Sequence, residues 1–180
     1  PQPYKQKLWG GGGGGAGVQT TPKPLQAVAA SDAMARTLIR GYYACVSYTD
    51  TQIGKVLDAL ESEGLSNKTI IILWGDQGWN LGEHTPWCKH CTFENAMHAS
   101  LIIRSPNHLS SNNGVATRTL AEFIDIYPTL CELAGVAPPQ ELDGRSLVPV
   151  LENPKDPGKG FAIGRFRNGD TIRTNKWRYT

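Results

Sequence analysis

The sequence predicts a layered α/β domain. Three observations carry this: one long amphipathic helical pattern, two short apolar runs without alternation, and a second helical pattern after them. Helix, strand, loop, strand, helix is the order that places a sheet against helices.

The first helix starts at Ser31 or Asp32, either of which can cap it. Met34, Leu38, Tyr42, Cys45, Val46, Ile53, Val56, Leu57 and Leu60 then recur at spacings of three and four, which is one face. Gly64 is a natural stop. The helix is expected to be on the order of 45 Å long at 1.5 Å per residue. Gly41 and Gly54 lower its propensity and allow a kink. Ile70 to Trp74 is an unbroken apolar run, as in a parallel strand covered on both faces. A second run, Ser100 to Arg104, ends at Ser105-Pro106. A second helix is expected over 117–133, with Leu120, Phe123, Ile124, Tyr127, Leu130 and Leu133 on one face and Gly135 as its end. Pro128 implies a kink or break there. From Pro138 the sequence is loop-like around "LDGRSLVPVL". Residues 161–180 alternate, and Asn168-Gly169 marks a hairpin.

Residues 1–30 carry the glycine run Gly10 to Gly15, then Pro22 and Pro24, and are expected to form a loop or linker. No Lys-Ser/Thr follows the glycines, so they do not fit a phosphate-cradling loop. The formal charge of the 180 residues is +2, which gives no argument for nucleic acid or an anionic membrane surface. No apolar stretch reaches the roughly 18 residues of a membrane span. With no Met at the start and an abrupt Tyr179-Thr180 end, a fragment of a longer polypeptide is expected. Four cysteines are too few for a disulfide scaffold; Cys45 and Cys131 fall in helical patterns as small apolar thiols.

"LWGDQGWNLGEHTPWCKH", Leu73 to His90, holds the candidate site. Ligands of open α/β sheets bind at the carboxyl ends of strands. Asp76 and Gln77 stand there, flanked by Gly75 and Gly78. A carboxylate beside an amide oxygen suits Ca²⁺ or Mg²⁺, with further ligands coming from other strands. The alternative is that Asp76 caps the turn and Gln77 meets water. Lys89 suits an oxyanion, or is a solvated loop lysine. Cys88 and Cys91 form C-x-x-C near His84, His90 and His98. Zinc ligands, a disulfide and two incidental thiols all remain open for that pair.

The block from Arg40 to Pro106, "RGYYACVSYTDTQIGKVLDALESEGLSNKTIIILWGDQGWNLGEHTPWCKHCTFENAMHASLIIRSP", resembles the type I sulfatase family and its iduronate-2-sulfatase-like branch. "LAEFIDIYPTLCELAGV", "LDGRSLVPVL" and Thr171 to Thr180 are similar to later segments of that branch, in order. The resemblance covers residues 33–180 and implies an alkaline-phosphatase-like α/β/α sandwich. Residues 31–137 would be part of the catalytic domain, and 138–180 a connection and the start of a small antiparallel C-terminal subdomain. It implies hydrolysis of sulfate esters, with Ca²⁺ rather than Mg²⁺ held partly by Asp76 and Gln77. Lys89 would act on the substrate sulfate both as binder and as catalytic group. His84, in the shared "LGEH", is structural or near the site. Gln77 departs from the His of the nearest branch, which leaves the metal role intact and the substrate preference open.

The family's nucleophile is a formylglycine made from C/S-x-P-x-R. No cysteine or serine here has that context, so it is expected outside this segment, and the segment alone is expected to be inactive. The family also implies a sulfated small molecule or glycan as substrate and a secreted, periplasmic or lysosomal location. A phosphonate monoester or phosphodiester hydrolase of the same superfamily, or a non-catalytic sulfatase-like binding protein, are the rival readings.

Overall fold

The computed structural model describes residues 30–106 and 114–180; the run Gly10 to Gly15 lies outside them. The chain opens with helix α1, Asp32–Ser62. The Ser31 hydroxyl accepts a hydrogen bond from the Met34 N–H at 3.3 Å, as the capping pattern predicts. At the other end the Gly64 N–H donates to Glu61 and the Leu65 N–H to Leu60, with Gly64 left-handed at φ 65°. These two bonds are the Schellman closure, which only glycine enters without strain. The helix continues through Gly41 and Gly54. None of its residues is buried among the described residues, so the predicted apolar stripe is present but open.

A single 3₁₀ turn, Ser66–Lys68, leads to strand β1, Ile71–Trp74. β1 pairs with β4, Leu101–Arg104, in the register Ile72 to Ile103. The pairing is antiparallel, which corrects the parallel neighbour expected from the apolar run. An unbroken run states only that both faces of a strand favour cover. Strand direction is set by the connection, and here the chain turns back through a hairpin and a short helix before pairing. Leu73, Trp74 and Ile102 remain exposed within the described residues. Arg104 ties β4 to the 3₁₀ turn by donating to the Ser66 carbonyl at 2.8 Å.

Between β1 and β4 lie β2, Asn80–Leu81, β3, Trp87–Cys88, and the short helix α2, Glu94–Met97. After β4 the helix expected over 117–133 is shorter. A 3₁₀ turn, Phe123–Asp125, runs into helix α3, Ile126–Ala134. Pro128 explains the difference. It occupies the third position of α3, where its missing N–H has no intrahelical partner to lose. Gly135 closes α3 at φ 67°, as predicted.

The small core forms where α3 meets α4, Val148–Glu152, a helix inside the segment expected to be loop. Ile126 and Leu133 of α3 are buried, as are Leu147, Val148 and Val150 at α4. Polar groups pin this joint. Asp125 is fully buried, and its carboxylate accepts from the backbone N–H groups of Glu122 and Arg145, both at 2.8 Å. Thr129 is also fully buried; its hydroxyl donates to the Asp125 carbonyl and accepts from Leu147 N–H. Gly144 is needed here, because a Cβ would fall 1.9 Å from the Ile124 carbonyl oxygen.

Strands β5, Phe161–Phe166, β6, Gly169–Thr174, and β7, Arg178–Tyr179, form an antiparallel sheet in that order. The predicted hairpin is present, but its two loop residues are Arg167 and Asn168, one place before the Asn-Gly pair. Gly169 pairs with Phe166 as the first residue of β6, and Arg167 takes the left-handed conformation at φ 54°.

Candidate functional site

Four residues after Ile71, the Gly75 N–H still donates to Ser100, at 2.9 Å, so the ladder extends to the site turn. The Gly78 N–H then donates to the Ala96 carbonyl of α2. A Cβ at Gly78 would fall 1.9 Å from the Asn95 carbonyl oxygen, so this contact admits only glycine. The turn is thus pressed onto α2, with Asp76 and Gln77 at its apex. The Asp76 side chain is 83% exposed.

The hairpin β2–β3 returns the chain to that apex. Asn80 faces Cys88 in register, is fully buried, and donates to the Cys88 carbonyl at 2.9 Å and to Cys91 Sγ at 3.3 Å. His84, Thr85 and Cys88 all have φ between 56° and 77°, a region that side chains enter at a cost. Glu83 braces the loop by accepting from Leu81 N–H at 2.6 Å. Burial pushes the Glu83 carboxyl up, but hydrogen bonds from the Leu81 and Glu83 N–H groups outweigh it, and its pKa is lowered.

The outcome is that Lys89 Nζ lies 3.9 Å from Asp76 Oδ2, across thirteen residues of sequence. Asp76, Gln77 and Lys89 line one broad groove. His84 does not join them; it is exposed, with its ring edge-on to Phe93 at 5.6 Å. Cys88 and Cys91 are free thiols, which leaves the disulfide alternative unformed here. The zinc alternative lacks a third ligand, since no group of three His, Cys, Asp or Glu side chains is gathered among the described residues.

Oxygen donors of the Asp76 and Gln77 type suit a hard cation, and among the described residues no hydrogen bond to the Asp76 carboxylate competes for it. Two such donors would supply only part of the six to eight oxygens that calcium takes, and no third His, Cys, Asp or Glu is gathered beside them among the described residues. The 3.9 Å approach of Lys89 also fits, because an ammonium and a cation can flank the same anion.

Sequence reasoning missed the group that fixes α2. Glu94 Oε2 accepts from Arg173 Nε at 3.0 Å, from Arg178 Nε at 2.9 Å and from Arg178 Nη2 at 2.7 Å. The C-terminal sheet therefore grips the helix whose carbonyls seat the site turn. Burial pushes the Glu94 carboxyl up, but the Arg178 hydrogen bond and then the charges of Arg178 and Arg173 outweigh it, and its pKa is lowered. A lowered pKa means that this clamp stabilises the fold above the ordinary Glu range and is lost as pH falls through the folded value. The protection of β6 and β7 amides, taken relative to the unstructured exchange rate at each pH, is expected to fall below pH about 4. In Glu94→Gln that acid step should be absent; a step that persists unchanged would place its origin elsewhere.

The sulfatase family model matches residues 15–136. A sulfatase of Formosa agariphila is 34% identical over 145 residues, which cover 80% of this chain and 28% of that protein. Human iduronate 2-sulfatase is 35% identical over 126 residues, covering 58% and 23%. The chain spans about a quarter of the length of these curated relatives. Among solved structures, phosphonate monoester hydrolase of Agrobacterium radiobacter superposes with a TM-score of 0.69 at 30% identity, over 77% of this chain and 31% of that one.

Proposed function

The chain belongs to the sulfatase family, and from that premise we propose that the whole protein hydrolyses sulfate esters of a carbohydrate or related alcohol. The observation that carries this is the convergence of Asp76, Gln77 and Lys89 at the end of β1 in one groove. In this reading the Lys89 ammonium faces the sulfate and offsets charge on the oxygen that leaves. The oxygens of Asp76 and Gln77 help to hold Ca²⁺, which when bound offsets charge on the sulfate oxygens as a Lewis acid. The exposed apex leaves Asp76 open on the side that substrate would approach. His84 braces the loop through Phe93 rather than touching substrate.

The nucleophile is assigned to a C/S-x-P-x-R segment outside these 180 residues, to be modified to formylglycine. The human relative's name supports a sulfated sugar as substrate. Secretion, the periplasm or a lysosome is the compartment that the family supports; no helix among the described residues is long and apolar enough to cross a membrane.

The likeness to a phosphonate monoester hydrolase favours a second reading, in which the same groups act on a phosphorus ester. Parallel assays of the complete polypeptide on 4-nitrophenyl sulfate and on bis(4-nitrophenyl) phosphate separate the two. The sulfate is expected to turn over faster, with activity lost on chelation and regained with Ca²⁺. Faster turnover of the phosphodiester would select the second reading. An unmodified, motif-free upstream sequence would select a binding protein.

A further inference from the structure

Arg173 and Arg178 are direct cross-strand partners on β6 and β7. Like charges set opposite each other destabilise a sheet pair unless an anion lies between them. Glu94 supplies that anion, but only one charge for two guanidiniums. The sharing is also uneven. Arg178 is fully engaged, with Nε and Nη2 on Glu94 and Nη1 donating to Thr171 Oγ1 at 3.0 Å. Arg173 places only Nε on Glu94. Its Nη1 is buried and has no acceptor among the described residues. A buried donor without a partner costs free energy, and a guanidinium is built to take an oxyanion with two nitrogens at once. The Arg173 side chain is still 26% exposed, and it lines the groove that contains Asp76, Gln77 and Lys89.

We propose that Arg173, backed by Arg178, is a second anion subsite of that groove, which takes a carboxylate or a further sulfate of the substrate. As a substrate subsite it rests on the sulfatase reading above; as an anion site it does not. Arg178 holds Glu94 and the sheet in place, and Arg173 contributes the unspent positive charge. Nearby Arg165 is not equivalent, because both its Nε and Nη2 are committed to Asp170. The substrate class this favours is a polyanionic sugar rather than a neutral alcohol bearing one sulfate.

Side-chain ¹H–¹⁵N spectra of the arginines in the full chain test this, with sodium sulfate and sodium acetate titrated against sodium chloride at equal ionic strength. The Arg173 Nε–H signal should shift saturably with sulfate or acetate and not with chloride. The tighter of the two identifies the anion as sulfate-like or carboxylate-like. The response should persist in Lys89→Ala. The Arg178 Nε–H on the neighbouring strand should report the same midpoint as a relayed shift, and in Arg173→Gln that shift should need about tenfold more anion, the loss of one charge-assisted contact. If that variant does not fold, Arg173→Lys keeps the charge without the fork and should still weaken the Arg178 response. Shifts that never saturate, that match chloride, or that vanish in Lys89→Ala would overturn the subsite. A normal Arg173 response with no sulfate response near Lys89 would instead overturn the sulfatase reading and leave the anion site standing.

Discussion

Lys159→Met is expected to lower the melting temperature by about 10 °C, a loss of about 3–5 kcal/mol. Lys159 Nζ lies 2.9 Å from Asp125 Oδ1 and pairs closely with Glu122 Oε2. All three side chains are nearly closed to water, with Lys159 only 9% exposed and Asp125 at zero. Methionine keeps the apolar stem as far as Cε but leaves two buried carboxylates facing each other without a cation. That uncompensated charge, more than the lost attraction, sets the size of the effect. The backbone raises the cost further. Asp125 holds the N–H groups of Glu122 and Arg145, both part-buried, so moving its carboxylate away leaves those two donors poorly satisfied. Burial pushes the Lys159 pKa down, but hydrogen bonds to Glu122 and Asp125 and then their charges outweigh it, and the pKa is raised. This stabilisation is therefore complete below the ordinary lysine range and is lost as pH rises through the folded value. The native protein should lose stability above pH about 10.5, and Lys159→Met should not show that alkaline step. Thermal denaturation monitored by circular dichroism across pH checks both statements. A melting point within 2 °C or so of the native value would show that the cluster is solvated rather than buried.

What was legible in the sequence is what local chemistry determines. The start and end of α1 follow from Ser31 and Gly64, each acting within four residues. The site turn follows from an apolar run that stops at Gly75, and Gly78 shows why a second glycine must follow Gln77. The candidate partnership of Asp76 with Lys89 was visible through resemblance, because thirteen residues of loop contain no periodicity that would bring them together. Direction and distance were not legible. The run Ile70 to Trp74 favours cover but does not choose between a parallel and an antiparallel neighbour. Glu94 meets Arg178 across 84 residues, and Glu122 meets Lys159 across 37. Before folding, each of these is one charge among many on a nearly neutral chain. Their significance comes from burial, which depends on which elements pack together. The open faces of α1, β1 and β4 carry the same lesson in reverse. Met34, Val46, Trp74 and Ile102 follow apolar patterns, yet they are at least about half exposed within the described residues. Pattern states what a face favours, not what meets it.

Lys89→Ala, made in the complete polypeptide, is expected to lower kcat for a sulfate ester by about 10²–10³-fold. The effect should fall on kcat more than on KM. An ammonium at this apex is worth most when negative charge has developed on the leaving oxygen, and less when the ester is intact. Three features fix where the ammonium sits. The Lys89 side chain is two-thirds buried, the strained turn at Cys88 re-aims the backbone just before it, and the Asn80 amide holds the Cys88 carbonyl. Asp76 lies 3.9 Å from the ammonium and is mostly exposed, too loose an approach to hold it as a tight ion pair. Lys89→Arg tests position separately from charge. A guanidinium is longer and planar, and it should recover charge without recovering the location, leaving most of the loss in kcat. Asn80→Ala tests the same point from beneath, because it frees the Cys88 carbonyl while leaving the ammonium itself unaltered; kcat should fall, and the pH dependence of kcat/KM should keep its shape. If Lys89→Ala instead retained full turnover, the ammonium would be a solvated loop lysine and the groove would need another cation to face the departing oxygen.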